Sequence, residues 1–170
     1  MPVTYDALAT TTIATDGQGF DFQNIPATYT DLRLIVYSRG TFSSQSFGGN
    51  FRINNDSGTN YSWTRLFSDG VAQSQRESNQ NTANVGELPA SSSTAGIYGQ
   101  VIFDFMNYSN TTTFKTWLSR TSTIVSTSYV FTHVGLWRST SAINRITFGQ
   151  SSIADLKAGS MATLYGIKAA

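Results

Sequence analysis

The sequence predicts an all-β protein, an antiparallel β-sandwich, and three observations carry that prediction. Residues 95–109 (AGIYGQVIFDFMNYS) alternate with period two, so that Ile97, Gly99, Val101, Phe103 and Phe105 share one face of a strand. Tyr98, Gln100, Ile102, Asp104 and Met106 share the other. No segment shows the i, i+3, i+4 recurrence of an amphipathic helix. About eight to ten strand-like runs, punctuated by turn residues, fill the chain, which is the density of a sandwich or barrel. The jelly roll is the commonest double-sheet solution and the expected topology, although the alternation by itself fits other sandwiches equally well. The whole chain, residues 1–170, reads as one domain.

In chain order, Tyr5 to Ile13 is a Thr-rich first strand, and Asp16-Gly17 is a hairpin-type turn signal. Phe20 and Phe22 fall on one face of a second strand, which Ile25-Pro26 ends because proline offers no N–H to a ladder. Leu32 to Ser38 is a third. Gly48-Gly49 opens a fourth, in which Phe51 and Ile53 oppose Arg52, and the polar turn 54–60 leads into Tyr61 to Phe67. These two strands read as a hairpin. Residues 71–94 are polar and read as a long exposed excursion holding one or two short strands around Ala72 to Gln80. After the central strand come Phe114 to Thr123, Tyr129 to Arg138 and Ile143 to Phe148. Ile153 to Gly159 connects to a last strand, Met161 to Ile167.

Composition narrows the function classes. Only 12% of residues are charged, about half the usual ~25%, so the surface is polar but nearly neutral. Net charge is +1 without a basic run, which leaves no basis for electrostatic capture of nucleic acid. The absence of cysteine excludes disulfides, thiolate metal sites and cysteine nucleophiles. No apolar run approaches the ~20 residues of a membrane helix. The first twelve residues lack the basic and apolar regions of a signal peptide, so none is expected.

Reactive chemistry is scarce. His133 is the only histidine and falls mid-strand among aromatics, with no GxSxG elbow elsewhere, so a packed or interface role is expected. A glycosidase would need two carboxylates about 5–10 Å apart. Of Asp6, Asp16, Asp21, Asp31, Asp56, Asp69, Glu77, Glu87, Asp104 and Asp155, turns account for Asp16, Asp56 and Asp69. Asp104, within the central strand, is expected to pair with an arginine or hydroxyl across a sheet or subunit face. Residues 54–60 depart from the spacing of a calcium loop, and the sequons at Asn55, Asn60, Asn107 and Asn110 are expected by chance at this composition. No catalytic residue, metal site or cofactor is predicted. Two sets of residues remain. Tyr98, Ile102, Asp104, Met106 and His133 are candidates for a subunit interface. Tyr61, Trp63, Trp117, Tyr129 and Trp137 are candidate surface aromatics for a sugar or partner, with core packing as their competing fate.

Several stretches together resemble a β-domain found among small structural proteins of tailed-bacteriophage virions. They are ALATTTI (7–13), FDFQNIPATYTDLRL (20–34), FRINNDSGTNYSWTRLFSDG (51–70), SSSTAGIYGQVIFDFMNYSN (91–110), VGLWRSTSAINRITF (134–148) and AGSMATLYGIKAA (158–170). The resemblance implies a non-enzymatic, jelly-roll-like virion component that commonly forms trimers and contacts the major capsid protein or other virion proteins. Capsid decoration or cement is the expected role, because the chain lacks the repetitive shaft of a long fibre. A tail-fibre, spike or head-fibre domain that binds a host-surface glycan is the alternative. Neither role involves nucleic acid or membrane as a partner.

Overall fold

The computed structural model describes residues 4–125, 128–149 and 156–168. Within them lie twelve strands and no helix. β1 (Tyr5–Thr12), β2 (Phe20–Phe22), β3 (Asp31–Ser38) and β4 (Ser46–Ile53) come first. β5 (Tyr61–Ser68), β6 (Ala72–Gln80), β7 (Ala83–Pro89) and β8 (Gly99–Phe105) follow. β9 (Lys115–Ile124), β10 (Ser128–Trp137), β11 (Ile146–Phe148) and β12 (Met161–Ile167) complete the order. They form an eight-stranded sheet, β1-β12-β3-β8-β9-β10-β5-β6, and a four-stranded sheet, β2-β11-β4-β7. Every pairing is antiparallel, and the two sheets pack as a sandwich.

The pairing has a simple logic. With the hairpins β5–β6 and β9–β10 set aside, the remaining strands pair β1·β12, β2·β11, β3·β8 and β4·β7. A long antiparallel ribbon folded across itself gives that nesting, and it closes where β12 meets β3 and β11 meets β4. The order is compatible with a jelly roll. The two hairpins then extend the large sheet beyond β8.

Alternation builds the core. Leu32, Leu34 and Val36 of β3, Val101, Phe103 and Phe105 of β8, and Phe47, Phe51 and Ile53 of β4 all point between the sheets and are buried. Phe51 is central, with ring centroids 4.9 Å from Phe103, 5.9 Å from Phe105 and 5.1 Å from Trp117, all edge-on. Each such ring gains about 0.5–1.5 kcal/mol per aromatic pair beyond its burial. Gly135 makes room for Trp117, because a Cβ there would lie 1.9 Å from the indole.

The structure corrects two expectations about connectivity. β4 and β5 are not a hairpin: β4 belongs to the small sheet, while β5 pairs with β6 and β10. The chain changes sheets through residues 54–60, where Asn54 and Asn55 take left-handed φ of 51° and 57°. Asp56 fixes this crossing, accepting from Trp137 Nε1 at 2.7 Å, Asn60 Nδ2 at 2.8 Å and Gly58 N at 2.8 Å. Burial acts to raise the Asp56 pKa, but these hydrogen bonds outweigh it and hold the carboxyl below its usual range. Similarly, Asp16-Gly17 joins strands of different sheets and closes no hairpin.

The excursion at 71–94 is also revised. It holds β6, an exposed edge strand of nine residues, and β7, whose Ala83, Val85 and Leu88 are fully buried. Small apolar residues separated by Asn84, Gly86 and Glu87 concealed β7 in the sequence. The expected connection 153–159 is described only from Leu156, and Ile153 and Asp155 lie outside the described residues.

Candidate functional site

The eight-stranded sheet has two unlike faces, and the small sheet covers only one. The outer face has no second layer among the described residues. Cross-strand register sets its rows: Arg33, Asp104, Leu118, Val134 and Thr64 stand abreast, and Ile35, Ile102, Arg120, Thr132 and Leu66 form the next row. Leu66, Ile124, Val130 and Val134 each expose more than half of their surface, and Leu118 exposes 42%. These five lie on β5, β9 and β10, the strands that the two hairpins add. Scattered exposed apolar residues are ordinary, but five on three adjacent strands form a patch.

At the other end of this face, Arg33 Nε donates to Asp104 Oδ1 at 2.6 Å, and Arg33 Nη1 donates to the Tyr5 hydroxyl at 3.2 Å. The Asp104 carboxylate raises the Arg33 pKa. Asp104 therefore has an arginine partner within its own chain, directly opposite in register. Ile102 lies half-buried in the neighbouring row, Met106 is exposed in the turn after β8, and Tyr98 precedes β8 at the corner of the sheet.

His133 takes the packed of its two expected roles, and its place among the interface candidates is corrected. It points to the inner face, is fully buried in the monomer, and cannot reach a partner on the outer face. Its ring lies 5.9 Å from Trp63 and 6.1 Å from Phe131, and neither ring nitrogen has a hydrogen-bond partner among the described residues. Burial, with the nearby Arg65 charge, pushes its pKa down to about 4. Arg65 stacks its guanidinium 4.8 Å from the Phe67 ring centroid and 5.5 Å from those of Trp63 and Phe131. It also donates to Asn84 Oδ1 and Gln75 Oε1.

Four of the candidate surface aromatics are corrected as well. Tyr61, Trp63, Trp117 and Trp137 are 0, 8, 2 and 2% exposed. Tyr61 and Trp137 are held by the 54–60 crossing, where the Tyr61 hydroxyl donates to the Asp56 carbonyl at 3.2 Å. Trp117 fills the space above Gly135, and Trp63 packs on His133. The fifth, Tyr129, is half-buried, and the most exposed rings among the described residues are Tyr5, Tyr37, Phe42 and Phe114. Of these, only Tyr37 and Tyr5 stand on outer faces of strands, a position that period two makes legible once the buried face of β3 is known.

No group of three or more metal-ligating side chains occurs among the described residues. The buried cation Arg39 is spent on structure, donating to the carbonyls of Ser91, Ser93, Thr94 and Ile97. Lys115 likewise donates to the carbonyls of Thr113 and Thr140. No family model, no curated protein and no solved structure matches this chain.

Proposed function

We propose that this chain is a structural, non-enzymatic subunit of a tailed-bacteriophage virion, a trimeric capsid decoration protein that stabilises the head. The observation that carries the reading is the uncovered outer face of the eight-stranded sheet, with its apolar patch on β5, β9 and β10. A weakly charged face carrying such a patch gains most by meeting another protein surface, since burial contributes about 25 cal/mol per Å² of apolar area. The virion-protein resemblance of the sequence supplies the setting, and the near-neutral surface suits docking without long-range electrostatics. A trimer would present three copies of one face around a local threefold axis.

Immunogold labelling of intact source particles with an antibody to this chain tests the reading. Label spread over the head supports decoration. Label confined to the tail transfers the chain to the receptor-binding role, and absence of label on any particle ends the virion reading. Light scattering on the purified protein gives the second check. A trimer that becomes monomeric in Val134→Glu supports the patch as interface, and a stable monomer that does not bind capsids defeats the proposal.

A further inference from the structure

We infer that the corner of the sandwich at Tyr37, Tyr98 and Tyr129 is a binding site for a neutral saccharide. The strand ends of β3, β8, β9 and β10 enclose a groove of about 390 Å³ there, at the small end of the roughly 300–1,000 Å³ range of small-molecule sites. Tyr37, Tyr98, Gln100, Ser122 and Tyr129 line it, and among the described residues it holds no carboxylate, amine or guanidinium. The inference concerns the isolated protein and does not depend on where in a particle the chain resides.

Three observations make this a built site. The first is an aromatic platform: Tyr37 and Tyr98 stack with centroids 4.9 Å apart and planes 17° apart. Tyr37 remains 43% exposed in this stack. Tyr129, at the far wall, stacks on Phe131 through one face at 5.8 Å. The second is preorganisation. Tyr98 donates its hydroxyl to the Ala158 carbonyl at 2.7 Å, and Arg39 holds the preceding carbonyl, that of Ile97, at 2.9 Å. A platform fixed before binding loses little entropy when a ligand arrives.

The third is a polar rim. Gln100 and Ser122 are exposed, stand abreast of Tyr37 in the same cross-strand row of the outer face, and offer an amide and a hydroxyl. Rings that offer flat apolar faces, interleaved with amide and hydroxyl groups, match a pyranose, which has an apolar C–H face and a rim of hydroxyls. The lack of fixed charge selects a neutral sugar over a sialylated or phosphorylated one.

Saturation-transfer NMR on the purified protein with lactose, maltotriose, cellotriose and chitobiose tests the inference. At least one should bind at about millimolar strength, with transfer concentrated on the C–H protons of one ring face. Tyr37→Ala, at an exposed position, should weaken that binding about tenfold. Gln100→Ala should weaken it several-fold, and Leu66→Ala, on β5 outside the groove, should leave it unchanged. No transfer to any of the four sugars, or equal transfer in Tyr37→Ala, overturns the assignment. Tighter binding of sialyllactose than of lactose overturns the neutral class. Binding of a proline-rich peptide in place of every sugar overturns the saccharide class, since aromatic grooves also seat polyproline helices.

Discussion

The sandwich proper and its four-stranded extension obey the same alternation with opposite chemistry. Between β4 and β8 the inward face is entirely apolar, and the outward face mixes Arg33, Asp104 and Gln100 with aliphatic residues. Along β9, β10 and β5 the inward face interleaves Ser119, Thr121, Thr123, His133 and Arg65 with the rings of Trp63, Trp117, Phe131 and Trp137, while Leu118, Val130, Val134 and Leu66 face outward. The small sheet ends at β7, the strand of that sheet that reaches over β9, β10 and β5. Gly86 of β7, at φ +92°, packs against the Phe131 ring, and the Thr121 hydroxyl donates to the Val85 carbonyl. Beneath a single overhanging strand, stacked rings and an arginine stem replace interdigitated aliphatics. A second sheet thus dictates hydrophobic density, and where it runs out the sheet is free to turn its apolar side elsewhere.

Phe51→Ala should break the first region most severely, costing about 3–5 kcal/mol in chemical denaturation through lost burial and the cavity among Phe103, Phe105 and Trp117. In the extension the expected lever is pH. His133 is neutral when buried, and its folded-state pKa of about 4 lies below the ordinary 6.5. The unfolded chain therefore takes up the proton first as pH falls. Stability is full above 6.5, declines between there and about 4 by about 3 kcal/mol, and receives no further change from this group below. Denaturation at a series of pH values would show the slope, and His133→Leu should flatten it. A slope unchanged in that variant would separate the acid sensitivity from His133. The smallest effect belongs to the outer patch. Leu66→Ser should alter stability by no more than about 0.5 kcal/mol while reducing self-association or capsid binding. A large loss of stability there would mean that the face is covered within one chain.

The central strand, the paired faces of β3 and β10, and the closing strand β12 were all legible from period-two alternation. The assignment of strands to sheets was not, because a turn such as 54–60 looks the same whether the chain doubles back or crosses over. What decides is whether Asp56 meets Trp137, a contact 81 residues away. The same limit hid the fate of Tyr61, Trp63, Trp117 and Trp137, since alternation divides side chains between two faces without saying which face has a cover. For Asp104, by contrast, a carboxylate amid a sheet face needs a nearby cation or hydroxyl, and Arg33 supplies it. For Tyr37, alternation gives its face opposite Leu34 and Val36, but not its stacking on Tyr98, a residue 61 positions away that directly precedes β8.

The nested pairing also sets the order in which the molecule can be finished during synthesis. β1 has no neighbour but β12, and β12 also separates it from β3; β11 stands in the same way between β2 and β4. The strands made first therefore leave the ribosome with open ladder edges that only the last to emerge can close. Pairings of such long sequence separation put this chain among slow folders, on a scale of milliseconds to seconds. Until residues 161–167 arrive, β3 stands at an open edge of the wide sheet and β1 has no partner, and protection from premature association falls to chaperones or to rapid dilution.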